Sequence, residues 1–153
     1  MCGDHFNEYD TVIHSWQVIG DIIKSGCTQD IVCLIGSSVS HHGNLYNCSI
    51  LLHNNKILGI RAKMNIADGD GYYETRWFGM WKERKQIGEF KLPKSIQDIT
   101  GQTEVPIGEF LLQFRDTIVG LEICEEGWIS HNPMIDSSLD GAEIIINPSC
   151  SYI

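Results

Sequence analysis

The stretch YNCSILLHNNKILGIRAK, residues 46 to 63, constrains the fold more than any other part of the chain. Two apolar runs rich in Ile and Leu flank an Asn-Asn pair, a pattern that predicts a β-hairpin: strand 46–53, a turn at Asn54 and Asn55, and strand 56–62 leading into Lys63. A hairpin this apolar is stable only inside a larger sheet with its faces covered, so the rest of the chain must supply further strands and a covering layer. DIVCLIG (30–36) is a short continuous apolar run that suits a strand covered on both faces. EFLLQF (109–114) and TIVGLEIC (117–124) read as a second hairpin turning at Arg115 and Asp116, and EIIIN (143–147) as another buried strand.

The covering layer comes from helices. Val12, Ile13, Trp16, Ile19, Ile22 and Ile23 keep three-and-four spacing, which predicts a helix over 11–25 capped by Asp10 and Thr11 and stopped at Gly26. Ser130 or Asn132 followed by Pro133 opens a shorter helix near 131–139, and Asp140 and Gly141 turn the chain after it. Between residues 67 and about 103 the pattern dissolves into glycine, charge and aromatics, so a long irregular segment is expected there, of the kind that more often serves function than packing. Hairpins followed by a helix and a further strand imply an α/β chain with a mixed sheet and helices packed on it.

Length and charge narrow the function classes. A chain of 153 residues suits one domain with a real core, and a net charge of −9 argues against a nucleic-acid or anionic-membrane surface. No apolar run approaches the roughly 20 residues of a membrane span, and the opening MCGDHFNEYD lacks the basic and apolar regions of a signal peptide, so the expected location is the cytoplasm. Six cysteines without a CxxC pair fit reduced thiols better than a disulfide framework or a zinc site.

Asp68, Asp70 and Gly71 start like a calcium loop, but its twelfth position is Gly79 where a bidentate Glu is needed, so a solvated acidic turn is expected. His41 and His42 are adjacent and, on a strand, would point to opposite faces, which predicts a solvated loop pair and no shared metal. Glycine-rich phosphate loops and HExxH are absent. What remains is GLEICEEGW (120–128), an apolar run that delivers Cys124 beside Glu125 and Glu126. Taken alone, Cys124 reads as a half-buried structural thiol and Lys63 as a surface lysine at a strand end. Together with a carboxylate they could also form a nucleophilic set, because an ammonium favours a thiolate and stabilises an oxyanion while a carboxylate moves the proton.

Five segments in order carry a resemblance: DHFNEYDT (4–11), YNCSILLHNNKILGIRAKMNI (46–66), GYYETRW (71–77), GLEICEEGW (120–128) and DGAEIIINPSCS (140–151). They resemble the carbon-nitrogen hydrolase (nitrilase) superfamily and, within it, the glutaminase domain of the eukaryotic-type glutamine-dependent NAD synthetase branch, with IQDIT and VPIG in the matching order. The resemblance implies part of a four-layer α-β-β-α sandwich, with residues 1–153 as part of a single glutaminase domain. It implies Cys124 as the nucleophile toward the side-chain amide of glutamine, Lys63 as the triad lysine that stabilises the oxyanion with the backbone N–H of Glu125, and Glu74 as the glutamate that orients Lys63. Tyr72, Glu125, Ser149 and Ser151 match segments that hold glutamine.

The family's general-base glutamate belongs to a motif a few residues upstream of Cys2, and Glu8 matches a different glutamate. Further amidase segments and an ATP-dependent synthetase domain follow the Ser151 region in the family, so a fragment or truncated product is expected. No cofactor is expected in this part, with ATP and Mg confined to the synthetase domain. The expected partners are glutamine and either further copies of the chain or a synthetase domain, with no nucleic acid and no membrane. The implied product is ammonia for amidation of nicotinic acid adenine dinucleotide. The alternatives are a catalytically inactive homologue that acts as a binding or assembly partner, and another nitrilase-branch amidase.

Overall fold

A computed structural model describes residues 3–69 and 71–150. Strands β1 (Cys33–His41), β2 (Asn44–His53), β3 (Lys56–Ala62), β6 (Ile87–Lys91) and β7 (Glu104–Gly108) form a five-stranded sheet in the order β1-β2-β3-β7-β6. A second sheet contains β8 (Leu112–Gln113), β9 (Ile118–Leu121) and β10 (Ile144–Ile146) in the order β10-β9-β8, and β4 (Asp68–Gly69) and β5 (Tyr72–Tyr73) make a small ribbon. Helices α1 (Tyr9–Lys24) and α2 (Lys94–Thr100) cover the outer face of the large sheet, and α3 (Pro133–Leu139) packs on β9 of the small one. The layers are therefore helix, sheet, sheet, helix, as the α-β-β-α expectation required.

The alternation of β2 and β3 divides the core. Cys48, Ile50 and Leu52 face the helices together with Trp16, Ile19, Ile23 and Ile96, while Leu51 faces the second sheet against Val119 and Leu121. On β3 an irregularity opposite Leu51 and Leu52 leaves Leu58 as an extra residue, so that Ile57, Ile60 and Ala62 all face the helices. Arg61, between Ile60 and Ala62, is thereby aimed at the second sheet, and Lys63 lies one strand period beyond it. Close approach between layers depends on glycine at one position in particular. A Cβ on Gly120 would lie 2.8 Å from the Cβ of Ser137 on α3 and 2.7 Å from Ile145, so α3 can sit on β9 only with hydrogen there.

The hairpin β2–β3 turns where expected, with Asn54 and Asn55 at φ 47° and 59°. Other expectations are corrected. Helix α1 starts at Tyr9 after Glu8, with no side-chain cap; Asp10 lies in its first turn and Thr11 donates to the carbonyl of His5 at 2.6 Å. β1 begins at Cys33 and runs to His41, because Asp30 adopts φ 55° and delays the strand. His42 and Gly43 then form the turn of a further hairpin into β2, with φ 48° and 80°. Of His41 and His42 only His42 is an exposed turn residue as expected; His41 ends β1, partly buried, with its ring 3.9 Å from that of His42 and stacked on Trp81 at 5.9 Å. The stretch from 67 to 103 holds β4, β5, β6 and α2, so it is not one long irregular segment. The second hairpin is shorter than expected, since β8 keeps only Leu112 and Gln113 and β9 ends at Leu121.

Candidate active site

Four of the residues singled out from the sequence meet at one cavity. Cys124, Glu74, Tyr72 and Ser149 line a volume of about 330 Å³ together with Asn47, Cys48, Ile123, Pro148 and Cys150. Lys63 is fully buried, contrary to the surface lysine expected from sequence alone; it stands behind Glu74 and does not line the cavity. Its Nζ donates to Glu74 Oε2 at 2.5 Å. That same oxygen accepts the Ala67 N–H at 2.7 Å, and Oε1 accepts Asn47 Nδ2 at 2.8 Å. Three donors from three segments thus fix one carboxylate, and the carboxylate fixes the ammonium.

The chain that carries Glu74 is folded locally for this purpose. The ribbon β4–β5 brings residue 74 back to residue 67, where the Glu74 N–H donates to the Ala67 carbonyl at 3.1 Å, and a 3-10 turn over Glu74–Arg76 follows. Arg76 then reaches the amino-terminal 3-10 turn, with Nε and Nη2 on the two oxygens of Asp4 at 2.5 and 2.8 Å, and Trp77 Nε1 adds a third donor at 3.0 Å. The Arg76 and Trp77 hydrogen bonds hold the Asp4 carboxyl at a pKa of about 2. A carboxylate depressed in the folded state contributes stability above its ordinary value of 3.8 and loses it as pH falls toward 2. The clasp is therefore fully present at neutral pH.

Cys124 is not at a strand end. β9 stops at Leu121, and Cys124 opens a 3-10 turn over Cys124–Trp128 with φ 51°, a left-handed backbone that residues other than glycine seldom adopt. Neighbours over-determine that conformation. The Cys124 N–H donates to Asn147 Oδ1 at 2.7 Å and to the Pro148 carbonyl at 3.1 Å, while Asn147 Nδ2 donates to the Cys124 carbonyl at 3.1 Å and to Glu122 Oε1 at 2.9 Å. Ser149 Oγ donates to Asn147 Oδ1 at 2.5 Å. A Cβ on Gly127 would lie 2.8 Å from both Asn147 Nδ2 and Glu122 Oε1, so glycine at 127 is part of the same fit.

Sequence reading missed the support beneath this turn. Glu126 is fully buried; its Oε2 accepts Arg61 Nη2 at 3.0 Å and the Ile123 N–H at 2.6 Å, and its Oε1 accepts the Met64 N–H. Arg61, also fully buried, donates in addition to the carbonyls of Leu121 (3.3 Å) and Ala62. One buried ion pair thus joins the residues on either side of Lys63 to the residues on either side of Cys124. A signal for it was present: an arginine within the apolar run KILGIRA has to be paired if that run is buried.

Glu125 lies on the 3-10 turn, partly exposed, and is not among the residues that line the cavity. Ser151 lies outside the described residues. Tyr72 Oη donates to the Cys150 carbonyl at 2.7 Å, which ties the ribbon to the segment after β10 across the cavity. Among the described residues no group of three or more His, Cys, Asp or Glu is placed to hold a metal ion, and no helix is long and apolar enough to cross a membrane.

Comparison with known proteins agrees with this architecture. The Carbon-nitrogen hydrolase family profile matches residues 2–152. The chain is 47% identical over 151 residues to the human glutamine-dependent NAD(+) synthetase and 40% identical to that of Arabidopsis thaliana, covering 99% of this chain and 21% of each relative. It thus spans about a fifth of the length of these curated relatives. Among solved structures, a glutamine-dependent NAD(+) synthetase from Cytophaga hutchinsonii superposes with a TM-score of 0.79 at 30% identity, over 99% of this chain and 23% of that one. A Nesterenkonia amidase of the nitrilase superfamily superposes at 0.65 with 10% identity, over 97% of this chain and 47% of the other, which speaks to the fold alone. With a family match from end to end and layers that superpose on its solved members, the chain belongs to the carbon-nitrogen hydrolase family.

Proposed function

We propose that this chain carries glutaminase chemistry of the kind that feeds ammonia to NAD synthesis. The observation that carries the reading is the Lys63–Glu74 pair, fixed by Asn47 and Ala67, immediately behind a cavity that opens on Cys124. In this reading the Cys124 sulfur attacks the side-chain amide carbon of glutamine, the tetrahedral oxyanion is stabilised by the Lys63 ammonium and the Glu125 N–H, the C–N bond breaks and ammonia leaves with the proton given up by the Cys124 thiol, and water then releases glutamate from the thioester and restores the thiol. Glu74 orients Lys63, since its two oxygens already accept three donors. Tyr72 and Ser149 line the cavity where the amino-acid end of glutamine would rest. ATP and Mg would belong to a synthetase portion that amidates nicotinic acid adenine dinucleotide, and the 47% identity to the human synthetase supports this branch over other amidases.

The test is mass spectrometry of the chain after exposure to an electrophilic glutamine analogue. One stoichiometric adduct on Cys124 is expected. Equal labelling across the cysteines, or none, would favour the alternative of an inactive homologue that only binds or assembles.

The same reading includes association with further copies of the chain or with a synthetase domain. α3 exposes Met134, Ile135 and Leu139, the last at 80%, and the neighbouring Trp128 and Ile144 are exposed at 81% and 49%. A face with this many large apolar side chains favours burial against another surface. Sedimentation at micromolar concentration is expected to show species larger than the monomer, and a single sharp monomer boundary with cooperative melting would contradict it.

A further inference from the structure

The cavity is lined by three cysteines, Cys48, Cys124 and Cys150, which a hydrolytic reaction with a single nucleophile does not require. They differ in what they can do. Cys48 is 1% exposed on β2, and burial pushes its thiol pKa far up, against the pull of Arg61, so it stays a protonated packing residue. Cys124 is partly exposed at the head of its turn, and Cys150 is exposed. The segment between Asn147 and Cys150 has no regular secondary structure. It is also bound to the Cys124 backbone: the Pro148 carbonyl, two residues before Cys150, accepts the Cys124 N–H. An accessible second thiol lining the same cavity as an accessible first one is the arrangement in which an oxidised cysteine is resolved as a disulfide.

We propose that Cys124 and Cys150 form a reversible disulfide when the site meets a hydroperoxide, so that the cavity is an oxidation-sensitive modification site. The proposal rests on Cys124 being the reactive thiol of the glutaminase reading. In the first step the Cys124 sulfur attacks the terminal peroxide oxygen and the O–O bond breaks. The sulfur is oxidised to a sulfenic acid, and the peroxide is reduced to an alcohol, or to water where it is hydrogen peroxide, which takes the thiol proton. In the second step the Cys150 sulfur attacks the sulfenic sulfur, the S–O bond breaks, and the hydroxyl leaves as water with the Cys150 proton. A dithiol reductant reverses the pairing. Closure requires the two Cα atoms to come within about 7 Å, and the Cys124 N–H bond to the Pro148 carbonyl at 3.1 Å already holds the two segments side by side.

The test uses the full chain treated with one equivalent of hydrogen peroxide, then alkylated, digested without reductant and mapped by mass spectrometry. The expected result is an intramolecular peptide pair joined through Cys124 and Cys150, lost on treatment with dithiothreitol, with Cys27, exposed in the turn after α1, still alkylated as an internal control. In Cys150→Ser under excess hydrogen peroxide, which supplies the second oxidising equivalent, Cys124 is expected to pass on to the irreversible sulfinic acid roughly tenfold faster than in the parent chain treated the same way. Equal rates of sulfinic acid formation in the two chains, or cross-links spread over Cys27 and Cys33, would overturn the proposal. Labelling of the reduced chain by the glutamine analogue separates the two ideas. A disulfide without specific labelling removes the glutaminase reading and leaves the pairing, whereas specific labelling without a disulfide does the reverse.

Discussion

Arg61→Met is expected to cost about 3–5 kcal/mol of stability, which for a chain of this size lowers the melting temperature by about 10 °C or more. The reason lies in what would be left behind. Glu126 is fully buried and its charge is matched by the Arg61 guanidinium at 3.0 Å; without it the carboxylate keeps only the N–H groups of Ile123 and Met64. Protonating the carboxylate would relieve the charge but weaken those two backbone hydrogen bonds, of which the one from Ile123 sets the entry into the Cys124 turn and the one from Met64 ties in the segment after Lys63. Glu126→Gln is expected to be nearly as damaging, because it strands a guanidinium that has no exposed surface. The double variant removes both charges and should melt above either single one, giving a coupling energy of about 1–3 kcal/mol in a double-mutant cycle. Thermal melts of the four chains decide the matter, and single variants that melt within a degree or two of the parent would show that the pair has no such part.

The same geometry bears on chemistry as well as stability. Arg61 and Met64 bracket Lys63 in sequence, and Ile123 and Glu126 bracket Cys124, so the pair is the strut that sets the distance between the two groups of the proposed mechanism. Positioning of this kind matters because reacting groups lose rate steeply when displaced by as little as 1 Å.

How much of this was legible in the sequence follows from how local each feature is. The β2–β3 hairpin was readable because its turn residues, Asn54 and Asn55, are of a type that accepts positive φ, and both flanking runs are apolar throughout. β6 and α2, within residues 67–103, and β7 just after it were not legible because Gly88, Pro93 and Pro106 punctuate the sequence like a loop. Pro93 instead precedes the first residue of α2, and Pro106 sits inside β7 opposite Glu89. Tertiary pairing there overrides a local signal that favours turns. Within the site, Cys124, Glu74 and Tyr72 were named through family resemblance, and the structure brings all three to one cavity. The left-handed backbone at Cys124 and the Asn147 side chain that bonds both its N–H and its carbonyl had no sequence signature, since they join positions 23 residues apart.

The second large effect concerns the Lys63–Glu74 pair, and the size of its effect on stability differs between the two partners. Lys63 has no exposed side-chain surface whereas Glu74 is 16% exposed to the cavity. Lys63→Met leaves a carboxylate that still accepts Asn47 and Ala67 donors and can be reached by water, so the fold should tolerate it with a loss of about 1 kcal/mol or less. Glu74→Gln leaves an ammonium buried without a counter-charge and should cost about 3 kcal/mol or more. Adding Lys63→Met to Glu74→Gln is then expected to restore stability, an outcome opposite to simple additivity. On reactivity the order changes. In a folded Lys63→Met chain the oxyanion formed on attack by Cys124 loses its cationic partner, and labelling by a glutamine analogue that reacts through its carbonyl should slow by about 10²–10³. A Lys63→Met chain that keeps its melting temperature yet loses labelling would separate the lysine's chemical role from its structural one, while unchanged labelling would remove Lys63 from the mechanism altogether.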